Sequence, residues 1–528
     1  MGVSKPALEQ VKDIQASQRS GDIARLAKGA GISASGKMVG RGLNFLGQVI
    51  LARILGPEAF GLYAIGWTIL RIISIIGPLG LDSGVIRFGS KYWRDDQEKF
   101  RRVFFLSTSI AFISGLLIGG GLFLGATFLS IQFFHKPELE YVLRGFAIAV
   151  PIVTTLRVVA SATSVSQRLK YATYSEEVSQ PASELVFVIA FLYIFGLRIE
   201  GAVFAGVLSF GVALTLAIYY MVHLFPGLFS RNNPALPSPR MPFHLELIQF
   251  SIPTAFAALF GSSISWVDRL LVGLFRSEAE TGIYTTISLV SIIFAIILSG
   301  IKVIFSPMIA DLYNIGETNR VEEIYRISTK WGLYIGIPLF LVILFGSREL
   351  LALSFGAEYI GGSLPLIFLA LSQLINIGTG PLDILLIMTG RQKSWMAISG
   401  IMLGANILIN SILIPSLGLI GAAIGTASTV SGIFIIGLVK VKRDLNIWPY
   451  DQRCLKVLIS VVVTSAVLFG MTYVNIPSPV VRISSVLVIA LVVFGAGLLL
   501  QGLDSEDTEL ISLLKKRIPH KVIGKINR

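Results

Sequence analysis

The chain has 528 residues, 54% of them hydrophobic and only 14% charged, and its mean hydropathy is +0.76. A water-soluble domain of that length cannot carry this composition without a very large exposed apolar surface, so the chain reads as a polytopic membrane protein. One cysteine, Cys454, leaves no intramolecular disulfide and no thiolate cage, four histidines leave little for a metal site, and the net charge of +13 has to be explained by where it sits.

Residues 1–28 hold mixed charges and no apolar core of signal-peptide length, and are expected to form a cytoplasmic tail. Hydrocarbon about 30 Å thick needs roughly 20 apolar helical residues to cross it. Fourteen stretches meet that need: 30–52, 60–82, 103–131, 141–163, 175–196, 201–222, 246–268, 282–305, 331–348, 360–388, 396–415, 418–439, 457–474 and 480–501. The expected fold class is therefore all-α, with about 14 transmembrane helices.

Of the 44 lysines and arginines, 31 fall in the tails and even-numbered loops, 8 in odd-numbered loops and 5 within the membrane. The positive-inside rule then puts both termini in the cytoplasm. Clusters such as "RFGSKYWRDDQEKFRR" (Arg87 to Arg102), "KVKRD" (Lys440 to Asp444) and "LLKKRIPHKVIGKINR" (Leu513 to Arg528) act as topology signals that also touch anionic lipid heads. Nucleic acid is not an expected partner, because no aromatic-interleaved basic fold fits in such short segments.

The first span, within "GKMVGRGLNFLGQVILARILG" (Gly36 to Gly56), is not uniformly apolar. On a helix turning about 100° per residue, Ser33, Lys37, Arg41, Asn44 and Gln48 share an arc of about 80°, a polar stripe that lipid does not accommodate. Arg41 lies about ten residues from the cytoplasmic end, roughly 15 Å at about 1.5 Å per residue, near the bilayer midplane. Lys37 can snorkel toward the surface more easily than Arg41. Further charges at membrane depth are Arg71 in span two, Arg157 in span four and Glu184 in span five. Four cations against one acid leave this half of the chain at +3, whereas Lys302 and Asp383 in the other half cancel. Asp268 and Arg269 are expected at the outer end of span seven, and Arg53 is expected to anchor span one at the interface or to pair with Glu58.

An unpaired charge at bilayer depth costs at least about 2.5 to 3.5 kcal/mol, so such residues face a wet cavity or a partner. Lys37, Arg41, Asn44, Gln48, Arg71 and Arg157 are thus candidates for an electropositive wall that holds a phosphate or pyrophosphate. The competing reading ties each cation to a carboxylate, a helix carbonyl or a lipid phosphate. Glu184 and Asp383 are candidates for binding a coupling proton or sodium ion, against the alternative of salt-bridge partners. Prolines in or beside the spans allow bending, and Pro151 and Pro253 are the hinge candidates.

The chain also repeats itself. "GPEAFGLYAI" (Gly56 to Ile65) echoes in "SEAETGIYTT" (Ser277 to Thr286), with Gly61 and Gly282 separated by 282 − 61 = 221 residues. "SQRLKY" (Ser166 to Tyr171) pairs with "TGRQKSW" (Thr389 to Trp395), and "IEGAVFAGVLS" (Ile199 to Ser209) with "LIGAAIGTAST" (Leu419 to Thr429), where Gly201 and Gly421 are 220 apart. A constant period argues for duplication of a six-span unit, whose even number of crossings implies a pseudo-two-fold axis along the membrane normal.

At "LARILGPEAFGLYAI", "GLDSGVIRFGSKYWRDDQEKFRRVF", "IMTGRQKSW" and "NILINSILIPSLGLIGAAIGTASTVS" the sequence resembles the polysaccharide flippases of the Wzx type, within the multidrug/oligosaccharidyl-lipid/polysaccharide exporter superfamily. The likeness runs from about residue 28 to 500. It implies two six-helix lobes around a V-shaped cavity at 29–240 and 241–445, two further helices within 446–503, and a basic cytoplasmic tail at 504–528. It also implies translocation of a polyprenyl-pyrophosphate-linked glycan across the cytoplasmic membrane, without a cofactor, with glycosyltransferases or a polymerase of the same pathway as further partners. A multidrug antiporter for organic cations would want acids in its cavity, which the cation surplus opposes. A lipid II flippase satisfies the charge argument equally well. A membrane enzyme of envelope synthesis needs clustered acid/base chemistry, yet His135, His223, His244 and His520 fall in separate loops or tails, and no Walker motif is present.

Overall fold

The computed structural model describes residues 5–166, 168, 170–229, 243–451, 453–502, 504 and 506–508, with side chains described from Ser35 onward apart from 243–245, 257, 260–265, 304 and 453–455. The basic cluster from Leu513 to Arg528, with His520, lies outside the described residues, as do the side chains of Ser33, His244 and Cys454. Among the described residues every regular element is helical. In chain order these are α1 (Lys5–Ile76), α2 (Leu81–Tyr92), α3 (Gln97–Thr127), α4 (Leu139–Thr163), α5 (Lys170–Ala172), α6 (Gln180–Val188), α7 (Ile199–Leu224), α8 (Pro226–Phe229), α9 (Phe243–Phe275), α10 (Glu278–Asn314), α11 (Thr318–Ser354), α12 (Ser363–Gly378), α13 (Leu382–Met388), α14 (Gln392–Leu445), α15 (Arg453–Met471) and α16 (Pro479–Leu500). Turns of π-helix occupy Phe128–Phe133, Thr173–Ser179 and Ile189–Ile194.

Ten helical segments among the described residues are long and apolar enough to cross a membrane, which makes the chain a multi-pass membrane protein. Two of them, Ser35–Tyr92 with 58 residues and Gln392–Leu445 with 54, are about twice the length that one crossing needs. Each is broken by a glycine in a conformation that disfavours side chains, Gly56 at φ 74° and Gly418 at φ 61°. Both breaks fall at expected span boundaries, after 52 and 415.

Helix α1 begins at Lys5, ahead of the expected span 30–52, because after Pro6 the Ala-, Gln-, Glu- and Lys-rich segment holds good helix formers and no further proline. Two expectations are corrected. The expected span 360–388 is interrupted between α12 and α13, where Gly380 has φ 69° and Pro381 lacks an N–H. Asp268 and Arg269 are not at the end of their helix: the apolar "LLVGLF" continues α9 to Phe275, and both residues are buried.

The described chain forms two compact units, Met1–Leu289 with Ser399–Ala422, and Val290–Ile398 with Ala423–Arg528. In the first, α4 packs on α3 and α7, and α1 packs on α4, α6 and α9. The interior holds an aromatic cluster in which Trp67 lies 5.7 Å from Tyr63, 5.8 Å from Phe146 and 5.7 Å from Phe210. In the second, Phe305, Tyr325, Leu385, Leu386 and Val441 make one buried cluster, and Leu341, Leu468, Val486 and Phe494 make another between α11, α15 and α16. Lipid tails are as apolar as leucine, so these contacts stabilise through close packing rather than through escape from water. The charged side of the second unit is Lys330, 4% exposed, which lies 3.1 Å from Asp504 and 3.0 Å from Asp507.

The helix boundaries recur at the period of the sequence echo. Helix α3 starts at Gln97 and α11 at Thr318, 318 − 97 = 221, while the Gly56 break matches Ser277 between α9 and α10, 277 − 56 = 221. The two hairpins also meet reciprocally within the first unit. A Cβ on Gly61 would overlap the carbonyl oxygen of Glu278, and one on Gly282 would overlap that of Pro57. Pro57 and Glu278 are themselves 221 apart, so each hairpin offers its glycine to the same position of the other. Only residues without a side chain let two backbones come this close.

Candidate functional site

The rotation of α1 about its own axis is set by glycine. A Cβ on Gly40 would overlap the carbonyl oxygen of Glu177, and one on Gly36 would sit 2.7 Å from a methyl of Thr173, so this edge of α1 lies against the π-helical turn Thr173–Ser179. Small residues four apart make such a contact face in membranes. At about 100° per residue the stripe of Lys37, Arg41, Asn44 and Gln48 is centred about 90° from the glycine edge, and the apolar arc of Met38, Val39 and Leu46 lies beyond it. Lys37 and Arg41 are exposed, Asn44 is half-buried, and Gln48 is 5% exposed.

Deeper along α1, the stripe meets a buried polar network. Tyr63 donates its hydroxyl hydrogen to Glu184 Oε1 at 3.0 Å, and Gln180 donates from Nε2 to Glu184 Oε2 at 2.9 Å and to Ser209 Oγ at 3.1 Å. Gln48, itself buried, lies beside the Tyr63 hydroxyl. Glu184 is 3% exposed and Tyr63 fully buried, so both carboxylate oxygens are held by donors in a dry setting. Two turns beyond Tyr63, the Arg71 guanidinium lies 5.0 Å from the Trp67 ring centre, close enough to Glu184 for its charge to be felt there.

The six candidate cavity residues therefore divide. Lys37, Arg41, Asn44 and Gln48 share one face of α1, and Arg71, two turns beyond Tyr63, borders the same network. Arg157 is committed elsewhere: its Nη2 lies 3.4 Å from Asp82 and its Nε 4.0 Å from Glu176. Those two acids stand at span ends, outside the sequence balance of +3, and they remove Arg157 from the surplus. In the second unit Lys302 Nζ meets Asp383 Oδ2 at 2.7 Å, the cancellation read from sequence.

Sequence reasoning missed Tyr63, Gln180, Ser209 and the Asp268 pair. The signal was in the echo itself, since Tyr63 and Tyr284 are 221 residues apart and each follows its crossing glycine by two. Tyr284, fully buried, donates to Asp268 Oδ2 at 2.8 Å, as Tyr63 does to Glu184. Beside it the Arg269 guanidinium lies 5.0 Å from the Trp266 ring centre. Chemically, the α1 face offers ammonium and guanidinium donors that suit phosphate oxygens, next to an acid each of whose oxygens accepts a hydrogen bond from a neutral donor.

The family model described as "Polysaccharide biosynthesis protein" matches residues 26–313, that is 313 − 26 + 1 = 288 of 528 residues, and the one described as MatE matches 253–412. The chain is similar to the probable low-salt glycan biosynthesis flippase Agl15 of Haloferax volcanii, at 25% identity over 74% of this chain and 77% of that one. Its fold is similar to that of the lipid II flippase MurJ in an inward closed conformation, with a TM-score of 0.68, 14% identity, and coverage of 88% of this chain and 98% of that one. It is also similar to a multidrug resistance MATE family transporter of the MOP superfamily in an inward-facing conformation, with a TM-score of 0.63, 17% identity, and coverage of 79% and 98%. With more than half its length matched, the chain belongs to the polysaccharide biosynthesis protein family.

Proposed function

We propose that this protein carries a polyprenyl-pyrophosphate-linked oligosaccharide from the inner to the outer leaflet of the cytoplasmic membrane by alternating access. The glycan head enters a polar cavity, its pyrophosphate is met by Lys37, Arg41 and Arg71, and the lipid tail stays in the bilayer. The carrying observation is the α1 face: two exposed cations, Lys37 and Arg41, lie on one stripe with the polar side chains of Asn44 and Gln48. Fourteen crossings with both termini cytoplasmic fit this reading. The ten long segments gain two crossings from the breaks at Gly56 and Gly418, and α9 and Lys456–Met471 supply two more. The recurrence of helix starts and the reciprocal glycine contact support two six-helix lobes at 29–240 and 241–445 related by a pseudo-two-fold axis.

The likeness to the probable glycan biosynthesis flippase Agl15 supports transport rather than catalysis. The coupling ion of this reading is a proton or sodium, with Glu184 or Asp383 as its carrier. The test is deletion of the gene followed by mass analysis of lipid-linked sugars. A flippase for this cargo leaves full-length lipid-linked glycan stranded at the cytoplasmic face. Stranded lipid II moves the cargo assignment to peptidoglycan precursors, and normal export with altered drug resistance overturns the reading in favour of an antiporter.

A further inference from the structure

Lys136 is a buried cation that the cargo face does not use. It is 6% exposed and lies in the loop before α4, far along the chain from the polar stripe. The loop is built to present it: the π-helical turn Phe128–Phe133 ends, His135 adopts φ 56°, and the Lys136 N–H returns to the carbonyl of Ser130 at 2.7 Å. Its Nζ then donates to the carbonyl of Arg276 at 2.8 Å and lies 3.7 Å from Glu278 Oε1. Arg276 and Glu278 frame the break between α9 and α10, and the Glu278 carbonyl is the one against which Gly61 closes. Arg276 is fixed in turn, its guanidinium making hydrogen bonds of 2.9 to 3.1 Å to Glu280. A lysine of the first repeat thus grips the hairpin of the second at the point where the two hairpins cross.

The duplication gives a control. Phe134 corresponds to Phe355, 355 − 134 = 221, and His135 at φ 56° to Gly356 at φ 123°, so both copies turn through a positive φ at this position. The position equivalent to Lys136 is Ala357. A cation needed only to build this loop would be expected in both copies; it is present in one.

We infer that Lys136 is a positioning residue for transport, a latch that holds the Gly61/Gly282 crossing shut and sets how readily that end of the protein opens. The inference rests on the alternating-access reading above. Opening there must part Gly61 from Glu278 and Gly282 from Pro57, and with them the Lys136 ammonium from its carbonyl. A hydrogen bond to a charged group is worth enough to shift such an equilibrium by about tenfold or more.

The test uses full-length protein in lipid nanodiscs with Cys454 replaced by Ser and spin labels on E58C and A279C, which occupy equivalent positions, 279 − 58 = 221. Pulsed electron paramagnetic resonance then reads the distance across the crossing. Lys136→Met is expected to raise the ratio of long to short distances about tenfold or more, and Lys136→Arg, which keeps a charged donor, to leave it near that of the parent. An unchanged distribution in Lys136→Met, or the same shift in both variants, overturns the latch. If Lys136→Met is not recovered folded, Glu278→Ala takes its place: a smaller shift in the same direction supports the latch, and no shift overturns it. Distances and lipid-linked sugar levels are read separately, so unchanged distances with stranded glycan in the deletion strain sink the latch alone. Shifted distances with normal glycan export sink the cargo reading alone.

Discussion

Tyr63 and Glu184, 121 residues apart in sequence, are joined by a 3.0 Å hydrogen bond from a fully buried phenol to a carboxylate that is 3% exposed. The bond ties α1 to α6 and, with Gln180, fills both oxygens of the acid. Tyr63→Phe removes one donor from a buried carboxylate, which costs about 1 to 3 kcal/mol. The expected outcome is a lower melting temperature of the detergent-purified protein. Glu184→Gln, which can still accept from Tyr63, is expected to lose less. A Tyr63→Phe protein that melts like the parent would show the bond to be unimportant for stability.

The cargo clamp predicts a split among the arginines. Arg41→Gln with Arg71→Gln is expected to give membrane protein at parental level that fails to complement a deletion strain, because the clamp assigns both side chains to the cargo while Glu184 keeps its hydrogen bonds from Tyr63 and Gln180. Arg157→Gln is expected to lower the amount of folded protein instead, since Asp82 at 3.4 Å and Glu176 at 4.0 Å lose their counter-charge. Immunoblots of membranes alongside complementation separate the two effects. Full transport by the double variant removes the phosphate clamp.

Much of this was readable beforehand, and the reasons are physical. Apolar length and glycine or proline breaks fixed most helices, because a backbone in hydrocarbon has little choice but to be helical. The polar stripe of α1 followed from helical periodicity alone. Pairing across space did not: Asp82 and Glu176 sit at span ends, where sequence cannot tell a solvated acid from one turned inward to Arg157. The interruption at Gly380–Pro381 was likewise hidden, since an apolar run of 29 residues from 360 to 388 satisfies the length rule whether or not it is continuous.

Acid should test the clasp at the far end of the chain. Burial pushes the Asp504 carboxyl up, but hydrogen bonds and charge from Lys456 and Lys330 outweigh it and hold the group below its ordinary value. A carboxyl whose folded value is depressed contributes stability that is fully present above the unfolded value of about 3.9 and is lost as pH falls through the lower folded value. Asp504→Asn is therefore expected to melt below the parent at neutral pH. Thermal melts across the acid range should show that difference shrinking only below about pH 4. A difference that is already gone at pH 6 would contradict this assignment.

Lys302 and Asp383 meet at 2.7 Å with side chains 25% and 21% exposed, and the pair leaves two readings of Asp383 to be separated. If the acid serves as the partner of Lys302, removing either one strands a charge at membrane depth, while removing both does not. Lys302→Met and Asp383→Asn are each expected to reduce folded protein. The double variant is then expected to recover both protein level and complementation, with a favourable coupling energy on the order of 1 to 3 kcal/mol in a double-mutant cycle of thermal stability. If Asp383 carries the coupling ion, the double variant recovers its fold but not its transport. Complementation by a well-folded double variant thus assigns coupling away from Asp383, and its failure assigns coupling to it.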